Sequence, residues 1–371
     1  MLLVAEYPVG GTVPLVISID GGGTEEVVRA ANAFEWPFGK KEVIEHPKNL
    51  GLRQHILSCG DLSEKYSAII MLEDDLVVSP SFYHYASAAA TFYDDEPHVA
   101  QISLYSYEHG EISMERFYPV KADSDVYFMQ WASSWGQVWT KSQWRSFREW
   151  YLGVDSMRLQ SVPMPSYVKG WPDSSWKKYF IAYLVEAKKF AVYPYYSFSS
   201  CYGDSGVNHK SGTLPVTQVA LQIGEFDHRF VSFDGSFVKY DAYFQPHKEL
   251  ACQFDSSLSE YDFEVDFQGT RELSSVSREY LLSVKVCVSP MKTYGWNMYP
   301  FEMNLLNSDG NEFAFGKTSD FLDLIPRWKF VRLVLWSKRL LGALPAIYCA
   351  LIKIYFKLID RLISIVHGSK S

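Results

Sequence analysis

The sequence predicts an α/β protein: a mainly parallel, Rossmann-like sheet flanked by helices, then a β-rich C-terminal module and an amphipathic helical tail. Three observations carry this. The first two hundred residues alternate short apolar runs with helix-like stretches, the order that gives parallel strands joined by crossover helices. From about Phe226 the runs become β-rich, with Gly, Asn, Asp and Ser between them. From Pro326 apolar and basic residues recur at helical spacing. The 371 residues fit two to three domains at about 150 residues each, and the predicted divisions are 1–225, 226–320 and 321–371.

In order, Val13–Ile19 (VPLVISI) is a short apolar run ending at Asp20 and three glycines, as a buried strand would. Thr24 can cap a helix from Glu25 to about Phe34, with two acids in its first turn. Glu42–Glu45 is a short strand before Pro47, and Leu52–Tyr66 reads as a helix. Ala68–Leu72 (AIIML) is a second buried strand, ending in Glu73-Asp74-Asp75. Pro80–Tyr93 is a helix with proline at its start. Val99–Leu104 and Val126–Gln130 are further strands. In the β-rich region the runs near Glu249–Phe254, Tyr261–Phe267, Tyr280–Val288 and Asn311–Phe315 read as strands. Ligands of such sheets bind at the carboxyl ends of the strands, where Asp20 and Glu73–Asp75 fall.

Composition narrows the class. A chain 47% hydrophobic and 21% charged is globular, not disordered or fibrous. Its 11 Trp, 25 Tyr and 24 Phe are mostly core filling. The net charge of -8 splits unevenly: from Pro326 on there are nine Lys/Arg against Asp360 alone, a tail of +8 on a body of -16. An acidic body argues against nucleic acid as the main partner. The basic tail, with Trp328, Phe330, Leu333 and Trp336 among its charges, suits a helix lying on an anionic membrane surface, or one packed on a partner. Its longest uncharged stretch, Leu340–Ile352, has 13 residues, whereas a membrane span needs about 20. The five cysteines are odd in number and widely spaced without a CxxC, so neither a disulfide framework nor a zinc site is indicated and a reducing cytoplasm fits. No signal peptide is visible after Met1.

The strongest chemical signal is AIIMLEDDLVVSP, residues 68–80. Three consecutive acids after a buried strand repel one another unless a cation or solvent relieves them. Mg²⁺ and Mn²⁺ prefer carboxylate oxygens and substrate phosphates. A solvated acidic turn leading into the next helix is the plainer alternative.

On these residues the chain resembles the A-type-fold, nucleotide-sugar-dependent glycosyltransferases, bacterial family 2-like, and is similar to the N-acetylglucosaminyltransferase I family. Ile17–Gly22 (ISIDGG) resembles the strand whose terminal Asp contacts the nucleotide base. Asn49–Arg53 (NLGLR) resembles the NxG(L)R segment, Trp131–Trp144 (WASSWGQVWTKSQW) the acceptor-side segment, and Trp171–Gly212 the later helix, strand and Gly-rich loop. The likeness covers residues 10–215. It implies Asp75 as the ligand of Mn²⁺ or Mg²⁺, Glu73 and Asp74 on the sugar and ribose of the donor, Asp20 on the base, and Arg53 on the diphosphate or base. It also implies a donor-ordered lid at Cys201–Thr213, with His209 adding a metal or phosphate contact, and inversion by direct displacement.

Two features depart from the family. The carboxylate that takes the acceptor proton normally adjoins the Trp of the later helix. Here the stretch is Trp171-Pro172-Asp173-Ser174-Ser175-Trp176, so Asp173 is the nearest candidate base, with a helix cap as its other reading and Glu108 and Asp204 as further candidates. The family also opens with a strand and helix before the strand ending in Asp20, whereas only Met1–Tyr7 precedes Pro8. The resemblance thus implies either a chain that starts late or an incomplete nucleotide pocket. The function expected is transfer of a sugar from a nucleotide-sugar donor to a glycan or lipid-linked acceptor in bacterial surface polysaccharide synthesis, at the cytoplasmic face of the inner membrane. A non-catalytic glycan- or partner-binding protein is the alternative. A nucleotidyltransferase is disfavoured, because no Gly-rich, basic triphosphate loop opens the chain.

Overall fold

The structure, a computed structural model, describes residues 2–8, 11–202, 217–224, 227–306, 309–326 and 329. In chain order the elements are β1 (Leu15–Ile19), α1 (Glu25–Ala33), β2 (Lys41–Glu45), α2 (Gly51–Gly60), α3 (Ser63–Tyr66), β3 (Ala68–Met71), β4 (Leu76–Val78), α4 (Phe82–Tyr93), β5 (Val99–Ser103), β6 (Val126–Met129), β7 (Gln137–Thr140), α5 (Lys141–Leu152), α6 (Ser156–Ser161), α7 (Ser166–Lys169), α8 (Trp176–Glu186), β8 (Phe190–Pro194) and β9 (Ser199–Cys201). Then come β10 (Lys239–Tyr240), α9 (Lys248–Phe254), β11 (Phe263–Asp266), β12 (Tyr280–Ser283), β13 (Lys292–Tyr294) and β14 (Phe313–Lys317). Thr24 caps α1 as expected, its hydroxyl accepting from Val27 N at 3.4 Å.

The central sheet corrects the predicted fold class. It has six strands in the order β10-β6-β8-β5-β7-β3. Only the β5–β8 and β6–β10 pairings are parallel, and the other three are antiparallel. Three strands therefore run each way, and the sheet is mixed rather than mainly parallel and Rossmann-like. β1 and β2 do not join it but form a separate parallel pair, and β4 pairs with β9 antiparallel. The physical cause lies in residues 104–125, which join β5 to β6 without a helix and reverse the direction of the chain; β7 keeps the direction of β6 and so lies antiparallel between β3 and β5. The β6–β7 connection, residues 130–136, is held on the sheet by Gln101, whose side chain accepts from Ser133 N at 3.0 Å and donates to Ser133 O at 3.3 Å.

The second region is a four-stranded sheet, β11-β12-β14-β13. Its Glu249–Phe254 run is the helix α9, not a strand: seven residues are too few for periodicity to separate the two. β10, from the stretch after Phe226, pairs with β6 of the central sheet, so the boundary read from composition is crossed by that strand. Among the described residues no helix is long and apolar enough to cross a membrane. Of the predicted tail, 321–371, residues 321–326 and Lys329 are described; the rest lies outside the described residues.

The central sheet is buried on both faces. Val126 and Phe128 of β6 with Phe190 and Val192 of β8 meet α4 through Phe82, Tyr85 and Ala89. The alternate residues Tyr127, Met129, Ala191 and Tyr193 meet α5 and α8 through Phe147 and Phe180, as the two-residue period of strands requires. Trp139 and Trp144, expected on an acceptor surface, are fully buried in this second core. Gly60 lets α2 press on that core: a Cβ there would lie 2.0 Å from Trp144 Cζ2. Gly60→Ala is therefore expected to destabilise the fold by about 1–3 kcal/mol through overpacking, measured by denaturant unfolding. An unchanged midpoint would mean that the indole can yield.

Candidate functional site

The site follows from strand register. Met71 of β3 and Ser103 of β5 both face Gln137 of β7, so the residues after β3 and after β5 leave the sheet side by side. After β3 come Glu73, Asp74 and Asp75; after β5 comes the segment Leu104–Phe117. Burial, reinforced by the charges of Asp75 and Asp74, pushes the Glu73 carboxyl up to about 7, with the Lys177 ammonium pulling it back. Asp74 is exposed. The main chain of Asp75 accepts from Tyr202 N at 2.7 Å, beyond the end of β9. Tyr105 Oη donates to Thr217 O at 2.8 Å, so the described residues on either side of 203–216 are tied to this edge. The expected lid residues of that segment, with Asp204 and His209, lie outside the described residues.

Lys177, in the first turn of α8, is the residue that sequence reasoning missed. Its ammonium bonds Glu111 Oε1 at 2.8 Å, with both side chains mostly shielded from solvent. It lies 5.5–5.7 Å from the ring centroids of Trp131, Trp135 and Trp171, a desolvated cation–π setting. Glu111 Oε1 also accepts from Tyr107 Oη at 2.6 Å and Trp131 Nε1 at 3.1 Å. Glu111 stands in the EHGE stretch (108–111), where its neighbour Glu108 drew attention instead; Glu108 is exposed. The available signal was the placement of Lys177 directly after Trp176, at the helix start where the family's acid was sought.

The remaining candidates sit apart. The Asp173 side chain is 78% exposed and bonds the buried Lys178 Nζ at 3.0 Å. Ser175, not Asp173, holds the N-cap position of α8, so neither reading of Asp173 as cap nor as a shielded base matches its surroundings. Arg53 on α2 stacks 4.8 Å over the Tyr179 ring of α8. Asp20, at the end of β1, spends its carboxylate on the chain itself: Oδ1 accepts from Gly21 N at 2.8 Å and Leu50 N at 2.7 Å, and Oδ2 from Gly51 N at 3.0 Å. This ties β1 to the start of α2. Gly21 is obligatory here, because a Cβ would lie 2.0 Å from the Lys48 carbonyl carbon. Gly51 has φ +72°, the left-handed region.

The residues fit a divalent cation of the kind the resemblance implies. Among the described residues no group of three His, Cys, Asp or Glu side chains forms a closed metal cage. Mg²⁺ and Mn²⁺ need none when one carboxylate and substrate phosphates supply the ligands. A carboxyl whose pKa is raised by burial and by acidic neighbours is the setting that a cation relieves. No protein-family model and no curated protein matches the chain.

Asp20 gives a pH prediction. Burial would raise its pKa, but the three amides and the nearby His55 outweigh this and hold the carboxyl below its ordinary value. A lowered folded pKa contributes stability above the unfolded value of about 3.9 and loses it as pH falls through the folded one. Asp20→Asn is therefore expected to lower the thermal midpoint at pH 7, the gap to wild type closing as pH drops below about 4. A pH-independent gap would show that the charge is not what the amides hold.

Proposed function

We propose that the protein is a glycosyltransferase that moves a sugar from a nucleotide-diphosphate sugar to a hydroxyl of a glycan or lipid-linked acceptor. The observation that carries this reading is the opposition of the Glu73–Asp75 edge to a Lys177–Glu111 pair enclosed by three tryptophans. The half-buried Trp135 and Trp171 can offer indole faces to the apolar faces of sugar rings and carboxylates can bond sugar hydroxyls, whereas the fully buried Trp131 serves to hold Glu111 through its N–H. Asp75 would hold Mn²⁺ or Mg²⁺ together with the donor diphosphate, and the ion supplies charge neutralisation to the leaving group.

In this reading the acceptor hydroxyl bonds Glu111 Oε2, the oxygen not engaged by Tyr107, Trp131 and Lys177. The hydroxyl oxygen attacks the anomeric carbon and the bond from that carbon to the phosphate oxygen breaks. The electron pair leaves with the nucleoside diphosphate and the proton passes to Glu111, so one displacement inverts the anomeric centre. Lys177 fixes Glu111 and adds positive charge on the diphosphate side. Asp74 and Glu73 face the ribose and sugar, and Arg53 of α2 lies over Tyr179 of α8. The basic tail would hold the enzyme on the anionic cytoplasmic face of a membrane, where lipid-linked acceptors lie.

The test is release of nucleoside diphosphate from a panel of nucleotide sugars with Mn²⁺, using wild type, Asp75→Asn and Glu111→Gln. Loss of a positioned acid or base is expected to lower kcat about 10²–10⁴-fold in Glu111→Gln, with donor affinity retained. Asp75→Asn is expected to lose Mn²⁺-dependent donor binding, read as a thermal shift. Full turnover in both variants would sink the assignment of roles, and donor binding without turnover in wild type would favour a glycan-binding function. For the tail, the full chain is expected to co-sediment with vesicles containing phosphatidylglycerol but not with pure phosphatidylcholine, and high salt should release it. Equal binding to both would remove the electrostatic contact.

A further inference from the structure

The segment that carries Glu111 is closed on itself. Gly110 N donates to Glu115 O at 2.9 Å, Met114 N to Gly110 O at 2.8 Å and Phe117 N to Glu108 O at 2.8 Å. Met114 takes φ 57°, a conformation that a non-glycine residue holds only when its surroundings enforce it. Glu111 and Glu115 thus belong to one small unit, and displacement of either is passed to the other through the Gly110 peptide. The body grips Glu111 from one side through Tyr107, Trp131 and Lys177.

The β-rich module grips the other side. Glu115 is buried, and its Oε1 is 2.9 Å from Lys329 Nζ, both side chains being at most one-tenth exposed. Lys329 is in turn fixed by the carbonyls of Gln268 at 2.6 Å and Phe267 at 3.3 Å, just beyond β11, and lies 5.7 Å from the Trp296 ring centroid. A buried ion pair with one partner removed leaves an uncompensated charge, so the surrounding structure has to move.

We propose that Lys329, at the start of the basic tail, is a positioning residue for Glu111, acting through Glu115 and the 108–117 segment. The role of Glu111 rests on the proposed sugar transfer; the mechanical link does not. It gives the β-rich module and the tail a shared function: they form the back wall of the loop that presents the base.

The experiment compares full-length wild type with Lys329→Met, Lys329→Arg and Glu115→Gln by hydrogen exchange and kinetics. Exchange in peptides covering 107–118 is expected to rise about tenfold in Lys329→Met and Glu115→Gln, with β5 and β8 unchanged. Misplacing a catalytic group by about 1 Å can cost 10²-fold, so kcat is expected to fall with donor KM constant, and Lys329→Arg should restore most of both. If Lys329→Met loosens the whole fold, Glu115→Gln alone decides, since it keeps the side-chain volume but removes the charge that holds the buried Lys329. Exchange over 107–118 at the wild-type rate in a folded Glu115→Gln protein would overturn the link. A local rise in a protein that transfers no sugar would keep the link and remove the sugar-transfer reading. A local rise with unchanged kcat in an active enzyme would overturn the positioning role.

Discussion

The structure depends on burying the six-stranded sheet on both faces. With β5, β6 and β8 covered above and below, a charged side chain can leave these strands only at their ends. Register then decides which ends meet. Because Gln137 pairs with both Met71 and Ser103, the acids after β3 and the loop after β5 share one edge. A slip of one residue in β7 would turn its side chains to the other face and break that alignment. The candidate site is in this sense a product of sheet packing, with chemistry confined to the edge that packing leaves open.

At that edge the balance of charge falls to one side. The triplet Glu73–Asp75 and Glu111 gather there, and the Lys177 ammonium, which acts on Glu73 and bonds Glu111, has a carboxylate and three indoles as partners. A buried ammonium is tolerated only when paired, and the indoles replace part of its hydration. Burial and the surplus of negative charge are both felt at Glu73. The same arrangement separates an acidic side from an aromatic side. Glu111 stands between them.

Much of the local structure was legible in the sequence, because β1, β3, β5 and β6 are short apolar runs bounded by breakers, and Thr24 announces α1. The sheet topology was not. β7 lies inside a Trp-rich stretch that reads as a surface segment, and its place between β3 and β5 follows from a reversal of the chain between β5 and β6 that no local motif announces. The acidic triplet was visible as a motif. The Glu111–Lys177 pair was hidden, because 66 residues separate its members and only the fold brings them together. Asp20 shows the opposite case. It is conspicuous at a strand end, yet its oxygens are committed to three backbone amides, so its first duty is to join β1 to α2.

The aromatic content also takes on a role beyond volume. On one face of the central sheet the rings form a continuous chain: Phe147 lies 4.6 Å from Phe180, and Trp139 is 5.7 Å from Trp176. Trp131 meets Trp171 at 5.9 Å at the site. Close-packed rings have few alternative rotamers, so the position of Trp131 Nε1, and with it Glu111, is set by the same packing that stabilises the sheet. The loop is then fixed from two directions. The aromatic core orients its Glu111 end, and the β-rich module, through Lys329 and Glu115, holds its far end. A site on a loop ordinarily inherits the mobility of the loop. Here the loop is clamped between two cores, which lets a segment without regular secondary structure present a carboxylate in one geometry.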